Sequence, residues 1–168
     1  MLVSLALASC RPAPVQPKPV KPEPPDLPSE ERVLKTNNGW ATRRANNSNR
    51  YVLWFVKWDE AKFDYAGEAK ASGKMTGVSG RLYQNNKPVS SFDSPEAVAD
   101  RETNRLWLSG GIRLVSSSPA LTLTCNKLEW DADAQLIRAE GQVEVKSKSS
   151  IFGRFDKVLA TPSLDTFG

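Results

Sequence analysis

Apolar and polar residues alternate with a period of two from Tyr51 onward, which is the pattern of β-strands that bury one face. Residues 105–114 and 137–145 show the alternation most clearly. The buried face would carry Leu106, Leu108, Ile112 and Leu114 from the first run, and Ile137, Ala139, Val143 and Val145 from the second. Each run has a glycine at its middle, Gly110 and Gly141, where a strand can bend or bulge.

The two runs belong to a degenerate repeat. A shift of 31 residues superimposes Gly110 on Gly141 and aligns the apolar positions on either side. Each unit contains a strand, a short turn rich in Asp and Asn, and a returning strand, with the turns expected at 100–104 and 131–135. A third, truncated unit begins at Ile151.

Three further segments with a β pattern precede the repeat, at 51–56, 69–83 and 88–92. We therefore expect about eight to twelve antiparallel strands and essentially no helix. Long amphipathic strands joined in hairpins favour an all-β, antiparallel open jelly roll, a twisted two-sheet sandwich whose apolar faces meet. Such a fold keeps free strand edges at both ends of its axis, and these edges can pair with another copy or with a partner.

The residues before these strands have a different composition. Eight of the twelve prolines lie between Pro12 and Pro28, which excludes a helix or a sheet ladder and predicts an extended, disordered tether. Residues 29–49 are polar and contain turn-forming asparagines. We therefore divide the chain into a leader (1–10), a Pro-rich and polar linker (11–49) and one folded domain (50–168).

The leader ends in a sequence that resembles a lipid-attachment signal. Residues 1–10 form a short apolar run, and Leu7-Ala8-Ser9-Cys10 resembles the bacterial lipobox. The resemblance implies that Cys10 is the lipidation site and the mature N-terminus, held in the membrane by its acyl chains. The alternative is an apolar leader on a cytosolic protein. The proline tether directly after the cysteine favours the lipoprotein.

The net charge of +4 comes from the linker region and not from the domain. Residues 11–50 contain eight Lys or Arg and four Asp or Glu, whereas residues 51–168 contain fifteen of each. A basic segment beside a membrane anchor favours contact with phospholipid headgroups. The domain lacks the cluster of basic and aromatic residues that is typical of nucleic-acid-binding proteins, so we expect no nucleic-acid partner.

The absence of histidine excludes several chemistries. Ser-His and Cys-His nucleophiles and the usual zinc ligand sets require it, so we expect no enzyme activity, no metal and no cofactor. Asp131 and Asp133 could be the paired carboxylates of a glycosidase, but they lie in an expected turn, where Asp accepts local backbone hydrogen bonds. Gly110-Gly111 lacks the following helix and the Lys-Ser/Thr pair of a nucleotide-binding loop.

The cysteines and tryptophans are assigned structural roles. Cys10 and Cys125 lie on opposite sides of the tether, so we expect no intrachain disulfide. Cys125 shares the parity of Leu123 and is expected to be a small buried hydrophobe rather than a reactive thiol. We expect four tryptophans to pack in the core or to protect a sheet edge, with stacking on sugars as the alternative. They are Trp54, Trp58, Trp107 and Trp130.

A repeated pattern of strand, turn and Gly-x-Val runs through residues 50–168 without any catalytic signature. It is carried by Leu82-Tyr83, Lys87-Pro88-Val89, Ala97 to Asp100, Leu106 to Arg113, Leu123 to Asp131 and Ile137 to Val145. This pattern resembles the LptC family of lipopolysaccharide-export proteins and, more loosely, their periplasmic relative LptA.

The resemblance implies a β-jelly roll that accepts lipopolysaccharide or a related glycolipid from an inner-membrane ABC transporter. It would pass the lipid to an LptA-like periplasmic bridge protein, with the acyl chains in the apolar groove between the sheets and the sugars and phosphates outside. Many family members are held by an N-terminal transmembrane helix, whereas no run here approaches the roughly 20 apolar residues of a span. A lipid anchor on Cys10 would replace that helix, in the periplasm and on the inner membrane rather than the outer.

The inward apolar positions of the repeat form the candidate lipid-binding groove. They are Leu106, Leu108, Ile112, Leu114, Leu121, Leu123, Ile137, Val143 and Val145. The same pattern would fill the core of any β-sandwich, so the alternative is a structural envelope lipoprotein that recruits partner proteins through exposed sheet edges. An open apolar slot between the sheets would favour lipid export, and a fully packed interior would favour the scaffold. An enzyme acting on envelope glycans would need clustered carboxylates in a cleft, which the sequence does not offer.

Overall fold

The computed structural model describes residues 32–45, 50–66, 70–100 and 102–168. This part of the chain forms eight long β-strands and no helix. The strands are β1 (Arg32–Arg44), β2 (Val52–Ala66), β3 (Lys70–Gln84), β4 (Lys87–Asp100), β5 (Arg105–Ser116), β6 (Thr122–Asp131), β7 (Leu136–Lys146) and β8 (Ile151–Ala160).

The strands form one antiparallel sheet in the order β1 to β8, because each strand pairs with its neighbour in the chain. β1 and β8 are the two edges, so the sheet is open and resembles an open β-jelly roll. The all-β, antiparallel fold class expected from the alternation is thus confirmed.

A row of polar residues crosses the middle of every strand, and we call it the corner row. Through successive strand pairings it joins Asn37, Glu60, Thr76, Glu96, Ser109, Lys127, Glu140 and Lys157. The register shifts beside this row in each pairing from β4 to β8. Residues with positive φ follow the row on every odd-numbered strand, namely Asn38, Gly77, Gly110, Gly111, Gly141 and Gln142. Because bulges bend and twist strands, the row marks a line along which the sheet turns.

The corner row divides the sheet into two halves. Half A contains residues 39–44, 52–58, 78–84, 87–94, 112–116, 122–125, 143–146 and 151–155, and half B contains residues 32–37, 60–66, 70–76, 96–100, 105–109, 127–131, 136–140 and 157–160. Both halves contribute alternate side chains to a single buried hydrophobic cluster, although no other described secondary-structure element covers that face. The sheet therefore folds over at the corner row and supplies both layers of the expected sandwich.

The 31-residue repeat is present in the structure. β5 and β7 bury alternate residues in the same pattern on both sides of Gly110 and Gly141. These glycines have φ values of +93° and +75°, which other residues rarely adopt. The bulges expected at the two glycines are therefore confirmed.

The predicted domain boundary is wrong at its N-terminal side. β1 lies within the segment assigned to the linker, yet it pairs with β2 along its whole length. The Asn37-Asn38-Gly39 sequence was interpreted as a turn, but Asn38 adopts a φ of +52° as an irregularity inside a continuing strand. The folded domain thus begins at Arg32. The surplus of positive charge that was assigned to the linker region therefore lies in the domain, because residues 32–50 contain five Lys or Arg and no Asp or Glu, whereas residues 11–31 contain three and four. Residues 1–31, with Cys10 and the proline tether, lie outside the described residues.

Candidate functional site

The strand register identifies the residues that line the interior, because cross-strand partners share a face of the sheet. In half B one inward row runs through Leu34, Phe63, Gly73, Ala99, Leu106, Trp130, Ile137 and Ala160, with Phe167 paired to Ala160 beyond β8. The corresponding row of half A is Ala41, Val56, Gly80, Phe92, Leu114, Leu123, Val145 and Gly153. Seven strand spacings make each row about 34 Å long. We call the region between the two halves the apolar track.

All nine residues of the predicted groove lie along the apolar track. Eight of them are at most 3% exposed, and Leu121 is half-buried against the same cluster. The structure therefore brings these residues together on one face, as the alternation indicated.

Inward-facing apolar residues are exposed only towards the two edges of the described sheet. Leu34 on β1 is 48% exposed, Phe155 on β8 is 47% exposed, and Phe167 beyond β8 is 44% exposed. Phe155 faces inward because it pairs with Val143, and its ring occupies the space that a side chain at Gly153 would need. The apolar track thus runs from a β1 end to a β8 end, and its lining reaches solvent at both.

Sequence reasoning missed these three end residues. Leu34 lies in the segment that was assigned to the linker, and Phe167 lies beyond the last predicted strand. Phe155 lies in the truncated third repeat unit. It is three residues from inward-facing Val158, so strict alternation would place it on the outer face, but a register shift between β7 and β8 turns it inward. A shift of 30 residues places Lys157 over Lys127 and Val158 over Leu128, and it also places Phe155 over buried Cys125, so this one-residue shorter alignment is the signal that could have found Phe155.

Between its ends, the apolar track is filled by the side chains of the protein. Leu106, Leu114, Leu123, Ile137 and Val143 have no solvent-exposed surface. Cavities of about 870, 380 and 270 Å³ are present, but outward-facing polar and charged residues dominate their linings. The open apolar slot that would favour lipid export is therefore not observed between the described halves, and a guest would have to separate them.

Two hydrogen bonds join the halves on the side of the sandwich opposite the corner row. Arg43 Nε in half A donates a hydrogen bond to Asn104 Oδ1, in the turn after half B of β4, at 2.8 Å. Ser116 Oγ at the end of β5 donates to the backbone carbonyl of Ser163, which follows β8. The inward lining is exposed to solvent at the β1 and β8 ends.

Ion pairs attach the outer face of β8 to β7. Lys157 Nζ lies 2.9 Å from Glu140 Oε1, and Arg154 Nε lies 3.0 Å from Glu144 Oε2. The hydrogen bond from Lys157 and its positive charge lower the pKa of Glu140, and the hydrogen bond from Arg154 is the main cause that lowers the pKa of Glu144. Both acids therefore favour the attached strand in their ionised form.

Acidification is expected to loosen β8 before the centre of the sheet. The contribution of Glu140 and Glu144 is fully present above 4.5, the ordinary glutamate pKa, and is lost as the pH falls through their lowered folded-state values. Hydrogen-exchange protection measured at about pH 6 and about pH 3 should fall more in β8 than in β5. The Glu140→Gln/Glu144→Gln double variant should lack this selective loss. An equal fall in β5 and β8 of the unsubstituted protein would contradict the expectation.

The aspartates of the two Asp-rich turns form hydrogen bonds within these turns and between them. Asp100 Oδ1 accepts a hydrogen bond from the Glu102 backbone N–H at 2.7 Å, and Asp131 Oδ1 accepts one from the Ala134 N–H at 3.0 Å. The turn interpretation of Asp131 is thus confirmed. Asp133 accepts hydrogen bonds from Asn104 Nδ2 instead. Within the described residues, no cluster of three or more Cys, Asp or Glu could hold a metal ion.

Cys125 is buried in the core as expected. Burial raises the pKa of its thiol to about 12, because desolvation outweighs backbone hydrogen bonds from Glu140 and Lys127. Trp54, Trp58 and Trp130 are also buried, which excludes sugar stacking on their rings, whereas Trp107 is half-buried on the outer face.

No protein-family model matches the chain, and no curated protein is significantly similar to it. A search of the described residues for a helix able to cross a membrane finds none.

Proposed function

We propose that this protein is a lipid-export component that holds acyl chains in the apolar track and passes lipopolysaccharide or a related glycolipid onward. The observation that supports the proposal most directly is the continuity of the track. Inward apolar rows cross all eight strands and become exposed at the β1 and β8 ends, at Leu34, Phe155 and Phe167. Isolated exposed apolar residues are common on protein surfaces, but these three share one position, on the inward rows where the rows reach the edges of the sheet.

The packed interior is compatible with this role, because an empty apolar slot in water closes on itself. A guest would have to separate the halves and replace their contacts with its own. Burial of each methylene contributes about 0.8 kcal/mol, so an acyl chain of about a dozen methylenes gains on the order of 10 kcal/mol. That gain can offset the loss of the contacts between the halves along part of the track.

The two free edges suit a position within a chain of similar domains. The β1 edge would face an inner-membrane ABC transporter, and the β8 edge would face a periplasmic bridge protein, as the LptC resemblance implies. Phe167 and Gly168 cover the second half of β8, where Leu159 and Gly168 exchange two backbone hydrogen bonds. The first half carries exposed Ile151 and Phe152 and is the part of β8 that suits strand addition. A lipid anchor on Cys10 would hold the protein at the periplasmic face of the inner membrane.

A charge at the β8 end of the track is expected to block lipid loading without unfolding the domain. Phe155→Asp places a carboxylate on an inward but half-exposed position, so it should reduce the amount of bound lipid several-fold. Leu159→Asp is the matched control, because Leu159 lies on the same strand with similar exposure but faces outward with Arg138. The measurement is the molar ratio of lipid that co-purifies with each folded variant. Equal lipid content in both variants would count against the track.

The second candidate is a structural envelope lipoprotein that recruits partner proteins through its sheet edges. The complete burial of the interior between the ends favours it. If the protein has this function, either no lipid co-purifies with it or Phe155→Asp leaves the amount of lipid unchanged. Phe152→Pro, at an exposed position, would abolish partner binding at the β8 edge.

A further inference from the structure

The outer face of half A carries a patch of aromatic and basic residues beside the β1 edge. The sequence pattern did not reveal this cluster, because its members are brought together only by the register of β1, β2 and β3. We call Trp40, Phe55, Lys57 and Arg81 the outer patch. Trp40 pairs with Lys57, and Phe55 pairs with Arg81, so the four side chains share one face across β1, β2 and β3. This face is opposite the apolar track, because Ala41 and Val56 between them point inward.

The aromatic rings of the outer patch contact each other at the surface. Trp40 is 67% exposed, and its ring centroid lies 6.2 Å from that of Phe55. Lys57 Nζ lies 6.0 Å from the Phe55 ring centroid. Phe55, Lys57 and Arg81 also line a shallow cavity of about 380 Å³.

The positive charge of the patch is largely uncompensated. Among the described residues neither Lys57 nor Arg81 forms an ion pair, and the cavity lining contains one carboxylate, that of Asp93. On β7 and β8, by contrast, Lys157 and Arg154 are both paired with glutamates. Nowhere else on the described surface do unpaired cationic side chains surround an exposed tryptophan.

We propose that the outer patch docks on the surface of an anionic phospholipid bilayer. Tryptophan favours the membrane interface, because its ring is apolar and its indole N–H remains hydrogen-bonded at the headgroup level. Lys57 and Arg81 would neutralise lipid phosphates. β1 and the residues directly after it are also basic, with five Lys or Arg and no Asp or Glu in residues 32–50. The charge of the patch and the charge of this segment therefore favour the same surface.

This docking does not depend on lipid inside the domain. It holds β1 beside the bilayer and keeps the β8 edge away from it. If the proposed function holds as well, the Leu34 end of the apolar track faces the donor membrane and the Phe155 end faces the periplasm.

The test is sedimentation of the full 168-residue chain with vesicles of phosphatidylethanolamine and phosphatidylglycerol. Cys10→Ser is present throughout, so that no acyl chain can be attached. The Lys57→Gln/Arg81→Gln variant is expected to lower the vesicle partition coefficient about 20-fold at low salt. The matched control is Lys35→Gln/Lys74→Gln, which removes the same charge from β1 and β3 on the outer face of half B, at residues that form no ion pair among the described residues. It should reduce binding less than about 3-fold.

Aromatic variants give an independent readout. Trp40→Ala should weaken vesicle binding at high salt, where the charge contribution is screened, whereas Phe152→Ala, which removes a comparably exposed ring on β8, should not. If both charge variants lose vesicle binding equally, the proposal is overturned, because general electrostatic attraction then explains the binding. The patch variants could instead bind vesicles as before but no longer bind soluble glycerophosphate. That result would overturn the membrane proposal and indicate that the outer patch binds a soluble anion.

Discussion

Replacing Trp130 by alanine is expected to lower the free energy of unfolding by about 3–5 kcal/mol. Trp130 is fully buried in half B, where it lies between Leu106 on β5 and Ile137 on β7. Removal of the ring loses its contacts and leaves a cavity that two β-strand neighbours cannot close. Since a domain is stable by about 5–15 kcal/mol in total, the loss is a large part of the whole. Urea denaturation followed by far-UV circular dichroism measures it.

Two controls separate burial from the mere loss of a tryptophan. Trp107→Ala on the neighbouring strand removes a half-buried ring from the outer face and should cost about 1 kcal/mol. Trp130→Phe should cost less than Trp130→Ala, because it keeps an aromatic ring and loses no described hydrogen-bond partner of the indole N–H. Similar losses for Trp107→Ala and Trp130→Ala would mean that half B is not packed against half A.

Replacing Gly141 by valine is expected to cost about 2–4 kcal/mol. Gly141 has a φ of +75°, which a β-branched residue adopts only with strain. A Cβ at this position would also lie 3.2 Å from Asn126 Cβ and Nδ2, so the neighbouring strand would have to shift. Because Gly141 follows the corner row on β7, the strain acts on the bend that folds the sheet over. Thermal and urea unfolding of the variant measure the cost.

The contributions of backbone strain and crowding can be separated. Gly141→Ala/Asn126→Gly removes the Cβ and the amide of Asn126 that would crowd the new side chain, but keeps the positive φ at position 141. If the backbone conformation is the main cost, this double variant should remain destabilised relative to Asn126→Gly alone. A double variant as stable as Asn126→Gly would show that the corner row does not require the glycine, and that β7 can bend without it.

The alternation of residues predicted the features that depend on short stretches of sequence. The parity of Leu106, Leu108, Ile112 and Leu114 identified the buried face of β5, because side chains alternate strictly along a strand. Gly110 and Gly141 were identified as bends for the same local reason, since few other residues adopt a positive φ. The Asp-rich turns followed from the ability of a short carboxylate to accept hydrogen bonds from the backbone two or three residues on.

Features that depend on distant partners were not predictable in this way. β1 was assigned to the linker because its own sequence is polar and contains Asn37-Asn38-Gly39, and its strand conformation comes from pairing with β2. The continuity of the corner row depends on the register of all seven strand pairs, which no single segment specifies. The inward orientation of Phe155 and the closeness of Trp40 to Phe55 depend on the same register.

Photo-crosslinking to native lipid tests the central claim that the inward face of the sheet contacts acyl chains. A photoreactive amino acid is placed at inward Leu108, Val143 or Phe155 and, as outward controls, at Arg138 or Leu159. Cells that produce these variants are irradiated, and covalent lipopolysaccharide adducts are detected on the purified protein. We predict adducts at the three inward positions and none at the two outward ones. Equal labelling of both sets, or no labelling of folded inward variants, would contradict the account.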